Sequence, residues 1–245
     1  ETMNIWSHLI GFICTLIFGF TISLEFQNEA VDLTERMLIG LYITSAAMCM
    51  LLSTIYHWFG CMSENHYYSL LSLDLTGIAT LIAGSYFPAT YYAFYCTPVL
   101  QKVYLCTSAM ILVVGMVIAM FGSSNSKSAT LIRNGGFGSL VVFGLVPITH
   151  WLAIAPAVYR DGLFWGTIFL FFWYGLGFLL LLTNFPESVW PNSFITTHVI
   201  SSHTLWHIAV VAAVCTWFFT LLHYQALVQE HGCAPFDDQN LPYAF

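Results

Sequence analysis

The chain has 245 residues, of which 58% are hydrophobic, 17% aromatic and only 7% charged, and its formal net charge is −7. A soluble domain usually carries about 25% charged residues, so this composition argues against a water-soluble globular enzyme and excludes an intrinsically disordered chain. Five scattered basic residues also exclude an electrostatic surface for nucleic acid. The composition therefore predicts an integral membrane protein.

Long apolar runs follow one another along the whole chain. A helix needs about 20 mainly apolar residues to cross the hydrocarbon core of a membrane. Seven such runs occur, at Ile5–Leu24, Met37–Phe59, Leu70–Phe94, Val99–Phe121, Gly135–Ala155, Leu163–Thr183 and Ser201–Val228. They are continuous rather than alternating, which favours helices over a membrane β-barrel. We predict an all-α membrane protein, a single domain of seven transmembrane helices over residues 1–245, with Pro88 interrupting the third span.

Seven spans place the two termini on opposite sides of the membrane, which we call side A (N-terminal) and side B (C-terminal). Two basic residues map to side A and three to side B, so the positive-inside rule does not orient the chain. Cys96 and Cys233 both map to side B. They can form a disulfide if that side is lumenal or extracellular, and otherwise they are two free thiols.

Four ionisable residues lie inside the spans near side A. Asp74 is the only acid deep in a span, one turn into the third. His57 lies in the last turn of the second span, and His203 and His207 lie in the first two turns of the seventh. An ionisable group inside a membrane is costly and therefore indicates a functional site.

The types and spacing of these residues suggest a metal site. His203 and His207 are four residues apart, so both rings project from one helical face, and His57 can add a third nitrogen. Three protein ligands with an open fourth position are typical of catalytic zinc, and Asp74 can orient a ligand or accept a proton. Ser53, one turn before His57, points towards the same cluster. The alternative is that these histidines only hydrogen-bond neighbouring helices, with Asp74 as a buried partner.

The other histidines are expected to play no part in this cluster. His8 lies at the side A end of the first span, where an interfacial role is expected. His66 and His198 fall in connections on side A and are predicted to be solvated. His150 and His223 fall near side B, about a membrane thickness away.

Several longer motifs resemble those of a known family. They occur in order along nearly the whole chain: ETMNIWSHLIG, STIYHWF, LDLTGIATLIAGSYFPATYYAFYC and SSHTLWHIAVVAA. On these motifs the chain resembles the progestin and adipoQ receptor family, whose members include the adiponectin receptors. The segments SSHTLWH and YYAFYC, with KVYL and AMIL downstream, look closer to the Golgi-resident, Raf-kinase-trapping branch.

This resemblance implies a seven-helix fold unrelated to the G-protein-coupled class, with a cytosolic N-terminus and side B outside or lumenal. It implies a zinc ion held by His57, His203 and His207, with Asp74 as the acid and Ser53 as the serine one turn before the first ligand. Adiponectin receptors are associated with ceramidase activity. The family's N-terminal cytosolic region is largely absent from this sequence, and we expect such a segment to precede Glu1.

Two functions are predicted on this basis. The leading hypothesis is a receptor-like membrane protein, in the Golgi or plasma membrane, whose zinc site hydrolyses the amide of ceramide while an apolar cavity holds the lipid or a free fatty acid. The alternative is a non-catalytic receptor or scaffold with structural zinc, which responds to a protein ligand or tethers a cytosolic signalling kinase such as Raf at the Golgi. A G-protein-coupled receptor is disfavoured because the third span lacks Asp-Arg-Tyr and the seventh lacks Asn-Pro-x-x-Tyr. A retinal protein is excluded because the seventh span contains no lysine, and a transporter has little support.

Overall fold

A computed structural model describes residues 1–28, 31–124 and 126–233, and within them the chain forms nine helices and no strand. The helices are α1 (Thr2–Asn28), α2 (Leu33–Phe59), α3 (Glu64–Ala93), α4 (Pro98–Gly122), α5 (Lys127–Phe143), α6 (Leu145–Ile154), α7 (Ala157–Thr183), α8 (Phe194–His198) and α9 (Ser202–His231). Seven segments are long and apolar enough to cross a membrane, with α5 and α6 together forming the fifth. The prediction of seven transmembrane helices is therefore confirmed.

Two helices begin earlier than predicted on side A. The third starts at Glu64 rather than Leu70, and the fifth span starts at Lys127 rather than Gly135. Hydropathy marks only the apolar part of a span. The serines before these helices, Ser63 and Ser126, each accept a hydrogen bond from the N–H three residues on, so the polar first turns are also helical.

Proline and glycine affect two spans differently. The third helix continues through Pro88, so the predicted interruption is wrong. Membrane helices tolerate proline when neighbouring helices support the loosened backbone, and one turn before Pro88 the Trp217 Nε1–H of α9 donates to the Ser85 carbonyl at 3.3 Å. The fifth span instead breaks at Gly144, which ends α5 and precedes α6.

The helices that carry the predicted site pack directly on one another. The second helix lies between α1 and α3, whereas α9 contacts α1, α3 and α7. The approach of α2 and α3 is close at Gly77, where an added Cβ would lie 2.9 Å from the Cα of Cys49. Small residues at helix crossings permit such contact in membranes. This packing brings the side A ends of α2, α3 and α9 together.

Candidate metal centre

The start of α9 is fixed by two capping groups. The hydroxyl of Ser201 caps the helix, and the Glu187 carboxylate accepts from the Ser202 N–H at 2.8 and 2.9 Å and from the Ser202 hydroxyl at 3.0 Å. The first turn of α9 has no acid of its own, so Glu187 supplies the negative charge that the helix N-terminus favours. These contacts fix the first two turns, which carry His203 and His207.

Three histidines converge at this point. His57 lies in the last turn of α2, and its Nε2 lies 3.2 Å from Nε2 of His203. One nitrogen from each of His57, His203 and His207 can be chosen so that all three lie within 4.8 Å of one another. His57 and His207 are buried and His203 is half-buried. The predicted grouping of the three residues is therefore present.

The donor set fits a transition-metal ion. Two nitrogens bound tetrahedrally at about 2.0–2.1 Å from zinc lie roughly 3.4 Å apart, close to the 3.2 Å between the Nε2 atoms of His57 and His203. Neutral imidazole is the ligand that zinc, copper, iron and nickel share. Three histidines can hold such an ion and leave a fourth position for water or substrate.

The predicted acid and serine lie beside each other in the interface between α2 and α3. Asp74 is 9% exposed and Ser53 is 2% exposed. The Ser53 hydroxyl is placed to donate a hydrogen bond to the Asp74 carboxylate. His57 is close enough to interact electrostatically with the same carboxylate. A buried carboxylate with one hydroxyl donor keeps lone pairs for a further proton or hydrogen bond.

Residues of α1 also reach this centre, which the sequence did not predict. His207 Nδ1 lies 3.2 Å from the Asn4 carbonyl oxygen and 3.2 Å from the Ser7 hydroxyl. His8 was expected at the membrane interface, and that expectation is wrong. Its ring is 3% exposed and stacks on His207 with centroids 3.7 Å apart. Neither of its nitrogens has a hydrogen-bond partner among the residues that the structure describes.

The remaining histidines lie away from the cluster. His66 and His198 are exposed, although both belong to helices rather than to irregular connections. His150 shares a hydrogen bond of 2.9 Å with the Tyr104 hydroxyl near side B. His223, also on α9, is exposed.

Sequence similarity to known proteins identifies the family of this chain. A family model described as haemolysin-III related matches residues 1–218. The chain belongs to the haemolysin-III-related family. It is 28% identical over 245 residues to human "Progestin and adipoQ receptor family member 3", which confirms the predicted resemblance to the progestin and adipoQ receptor family.

Other relatives of this haemolysin-III-related protein come from insects and plants. It is 30% identical over 236 residues to the "Adiponectin receptor protein" of Drosophila melanogaster and 32% identical over 197 residues to "Heptahelical transmembrane protein 4" of Arabidopsis thaliana. The three alignments cover 95%, 93% and 78% of this chain, respectively. They cover 76% of the human relative, but only half of the fly and plant relatives.

This family member also has an apolar cavity of about 90 Å³ between α3, the α5–α6 span, α7 and α9. Its lining includes Ile82, Tyr86, Trp151 and Trp217 but none of the five predicted site residues. Ile82 is eight residues beyond Asp74, so the cavity begins about 12 Å along the helix from that carboxylate. The cavity therefore extends from the middle of the spans towards side B.

A disulfide joins two connections of the family member on side B. Cys96, just after α3, pairs with Cys233, just after α9, with their Cα atoms 5.4 Å apart. Of the two alternatives left open by the sequence, the pair rather than two free thiols is present. The Tyr159 hydroxyl also donates to the Gly232 carbonyl, which fastens the end of α9 to α7.

Proposed function

We propose that this protein is a receptor-like membrane protein with a zinc centre that hydrolyses the amide bond of ceramide or a related lipid. The observation that carries the proposal is the convergence of three histidines beside a buried carboxylate and hydroxyl. His57, His203 and His207 would hold the zinc. When bound, zinc supplies Lewis acidity and lowers the pKa of a bound water to about 7.

The protein's own residues would manage protons in this reaction. Water adds to the amide carbonyl carbon, the C–N bond breaks, and the products are a fatty acid and an amine. Asp74 is placed to accept the proton that water loses and to return it to the leaving nitrogen. Ser53 would orient the Asp74 carboxylate and, with its lone pairs, the incoming water.

The apolar cavity supports a lipid substrate. Its aromatic and aliphatic lining suits part of an acyl chain, although its volume of about 90 Å³ is below the roughly 300–1,000 Å³ of most small-molecule sites, so a lipid would have to widen it. A head group at the metal centre and a tail extending towards side B would use both features. A free fatty acid, as the product, would place its tail against the same lining.

A second candidate is a non-catalytic receptor or scaffold in which zinc only braces the helices. It is favoured by the roughly 12 Å that separate the cavity from Asp74, because no cavity wall includes a metal-site residue. Such a protein would respond to a protein ligand or tether a cytosolic kinase, such as Raf, at the Golgi. The support for that branch is the likeness of the segments SSHTLWH and YYAFYC to it.

Hydrolysis of a ceramide panel by purified, zinc-loaded protein tests the catalytic proposal. We expect release of fatty acid from at least one acyl-chain length. Zinc-loaded protein that releases none would contradict it and leave the receptor or scaffold.

Asp74→Asn separates the two candidates in one preparation. The amide keeps the size of the side chain but cannot accept a proton as a carboxylate does, so hydrolysis should fall about 10²-fold or more while zinc content stays unchanged. Ceramide hydrolysis that is unchanged in the zinc-loaded variant would show that Asp74 is not the base.

We also propose that side A is cytosolic and side B lumenal or extracellular, in a Golgi or plasma membrane. Disulfides persist in oxidising compartments and are rare in the cytosol. The Cys96–Cys233 disulfide on side B therefore supports a cytosolic N-terminal side.

A further inference from the structure

The first residue of the sequence contacts a metal ligand. The Glu1 carboxylate lies 2.6 Å from Nδ1 of His57. Nε2, on the other edge of the same ring, faces His203. With the Nδ1 proton donated to Glu1, the Nε2 lone pair is available to a metal ion.

A second residue of the same turn holds Glu1 in place. The Asn4 amide Nδ2 donates to the Glu1 carboxylate at 2.9 Å. The amide oxygen of Asn4 accepts from the Thr204 hydroxyl at 2.8 Å, one residue after the ligand His203. One amide side chain therefore links the start of α1 to the start of α9.

The same turn supports the ring of His207. The backbone carbonyl of Asn4 and the hydroxyl of Ser7 both lie 3.2 Å from its Nδ1. With Nδ1 as the hydrogen-bonded edge, Nε2 of His207 is left for a metal. The first helix thus contacts two of the three histidines on the side away from the metal position.

We propose that Glu1 and the first two turns of α1, which follow it, form the outer shell of the metal centre, with Glu1 as the positioning residue that orients His57. Ligating histidines generally donate their other N–H to a carboxylate or carbonyl, which fixes the tautomer and raises the basicity of the ligand. Here α2 and α9 supply the ligands, whereas α1 supplies the acceptors. This inference rests on the metal centre of the proposed function.

Because Glu1 is exposed, a role in orienting His57 can be distinguished from a role in stabilising the fold. Its side chain is 65% exposed, in contrast to 4% for that of His57. An exposed ion pair contributes little to stability, so the metal-free fold should hardly depend on Glu1. Metal affinity should depend on it strongly.

The test compares Glu1→Ala with Glu64→Ala in the full chain. Glu64 is an exposed acid in the first turn of α3 on the same side, so the control removes the same charge away from the histidines. Zinc affinity is measured by competition with a chelator. The geometry of the ligands around the metal is followed by the absorption bands of the cobalt-substituted protein. The stability of the metal-free protein is measured by its melting temperature. We expect Glu1→Ala to weaken zinc binding about 10- to 100-fold and to shift the cobalt bands, with Glu1→Asp recovering part of both.

Two results would overturn the inference: zinc affinity of Glu1→Ala within threefold of the control, or a metal-free melting temperature that falls in parallel with affinity. If the wild-type protein binds neither zinc nor cobalt, both the metal centre and the proposed function are contradicted.

Asn4→Ala supplies an independent check. Because Asn4 holds Glu1, the losses of affinity in Asn4→Ala and Glu1→Ala should combine less than additively, and strict additivity would contradict the shared shell.

Discussion

His203 and His207 share one face of α9 but differ in their surroundings. His207 is 2% exposed and its ring contacts His8 and the first turns of α1, whereas His203 is half-buried and contacts His57. Both are required to complete a set of three ligands, because a pair of nitrogens binds zinc much less firmly than three.

Replacing either ligand should remove the metal. We expect His203→Ala and His207→Ala to reduce the zinc content of purified protein from about one ion per chain to near zero, as measured by elemental analysis. His223→Ala, an exposed histidine on the same helix, is the matched control and should keep its zinc. Full zinc content in either ligand variant would place the metal elsewhere.

His8 illustrates a different use of a histidine. Its ring is buried against His207, and neither nitrogen has a partner in the described part of the chain, so the ring acts by stacking rather than by hydrogen bonding. Phenylalanine preserves the stack and removes two unsatisfied nitrogens, which each cost about 1–3 kcal/mol.

We therefore expect His8→Phe to keep its zinc and to melt at the same or a higher temperature than wild type. His8→Ala should lose stability because it leaves a cavity beside His207. The comparison needs only zinc analysis and a melting curve. Loss of zinc in His8→Phe would show that the imidazole nitrogens have a function that stacking does not supply.

The grouping of His57, His203 and His207 could be predicted from the sequence, and the residues of α1 that surround them could not. The four-residue spacing fixed the common face of His203 and His207, and the alternation of spans placed His57 and Asp74 at the same depth. Asn4 and His8 lie at that depth as well. Which face of α1 they occupy relative to α9 depends on the rotation of one helix against another, and hydropathy carries no information about it.

At the scale of helices, the crossing of α2 and α3 is the contact that sets the position of Asp74. Gly77 lies one turn after Asp74, and a Cβ there would meet backbone atoms of Cys49. Backbone cannot rotate away as a side chain can, so an added methyl group must separate the two helices.

Gly77→Ala should accordingly destabilise the protein by about 1–3 kcal/mol. Gly40→Ala is the control on α2, because nothing lies within 4 Å of its added Cβ. Helix propensity alone predicts that this control gains up to about 1 kcal/mol. Melting temperatures in one detergent test both, and equal behaviour of the two variants would contradict the close crossing.

Helix ends were the least predictable part of the fold. Apolar content located all seven spans, but α3 and α5 extend into polar sequence that serine caps hold in helical form. Pro88 was predicted to interrupt its span and does not, whereas Gly144 divides the fifth span without any signal in its hydropathy. Both outcomes depend on how neighbouring helices satisfy the backbone.

At the scale of the whole molecule, one exposed thiol reports the orientation. Cys61 lies in the connection between α2 and α3 on side A and is exposed. If side A is cytosolic, a membrane-impermeant maleimide should leave Cys61 unlabelled in intact cells and label it once the plasma membrane alone is permeabilised. Cys61→Ser removes the signal and serves as control. Labelling of intact cells, or labelling that requires the internal membranes to be permeabilised as well, would reverse the orientation.

The disulfide on side B constrains how α9 can move. Its far end is tied through Cys233 to the turn after α3, while its near end carries two of the three histidines and is capped by Glu187. The helix has 30 residues and is therefore about 45 Å long, so it is fastened at both membrane faces. A piston-like shift of α9 along its axis would have to break one of these attachments. A signal that α9 carries across the bilayer would therefore involve rotation or bending of this helix rather than displacement along its axis.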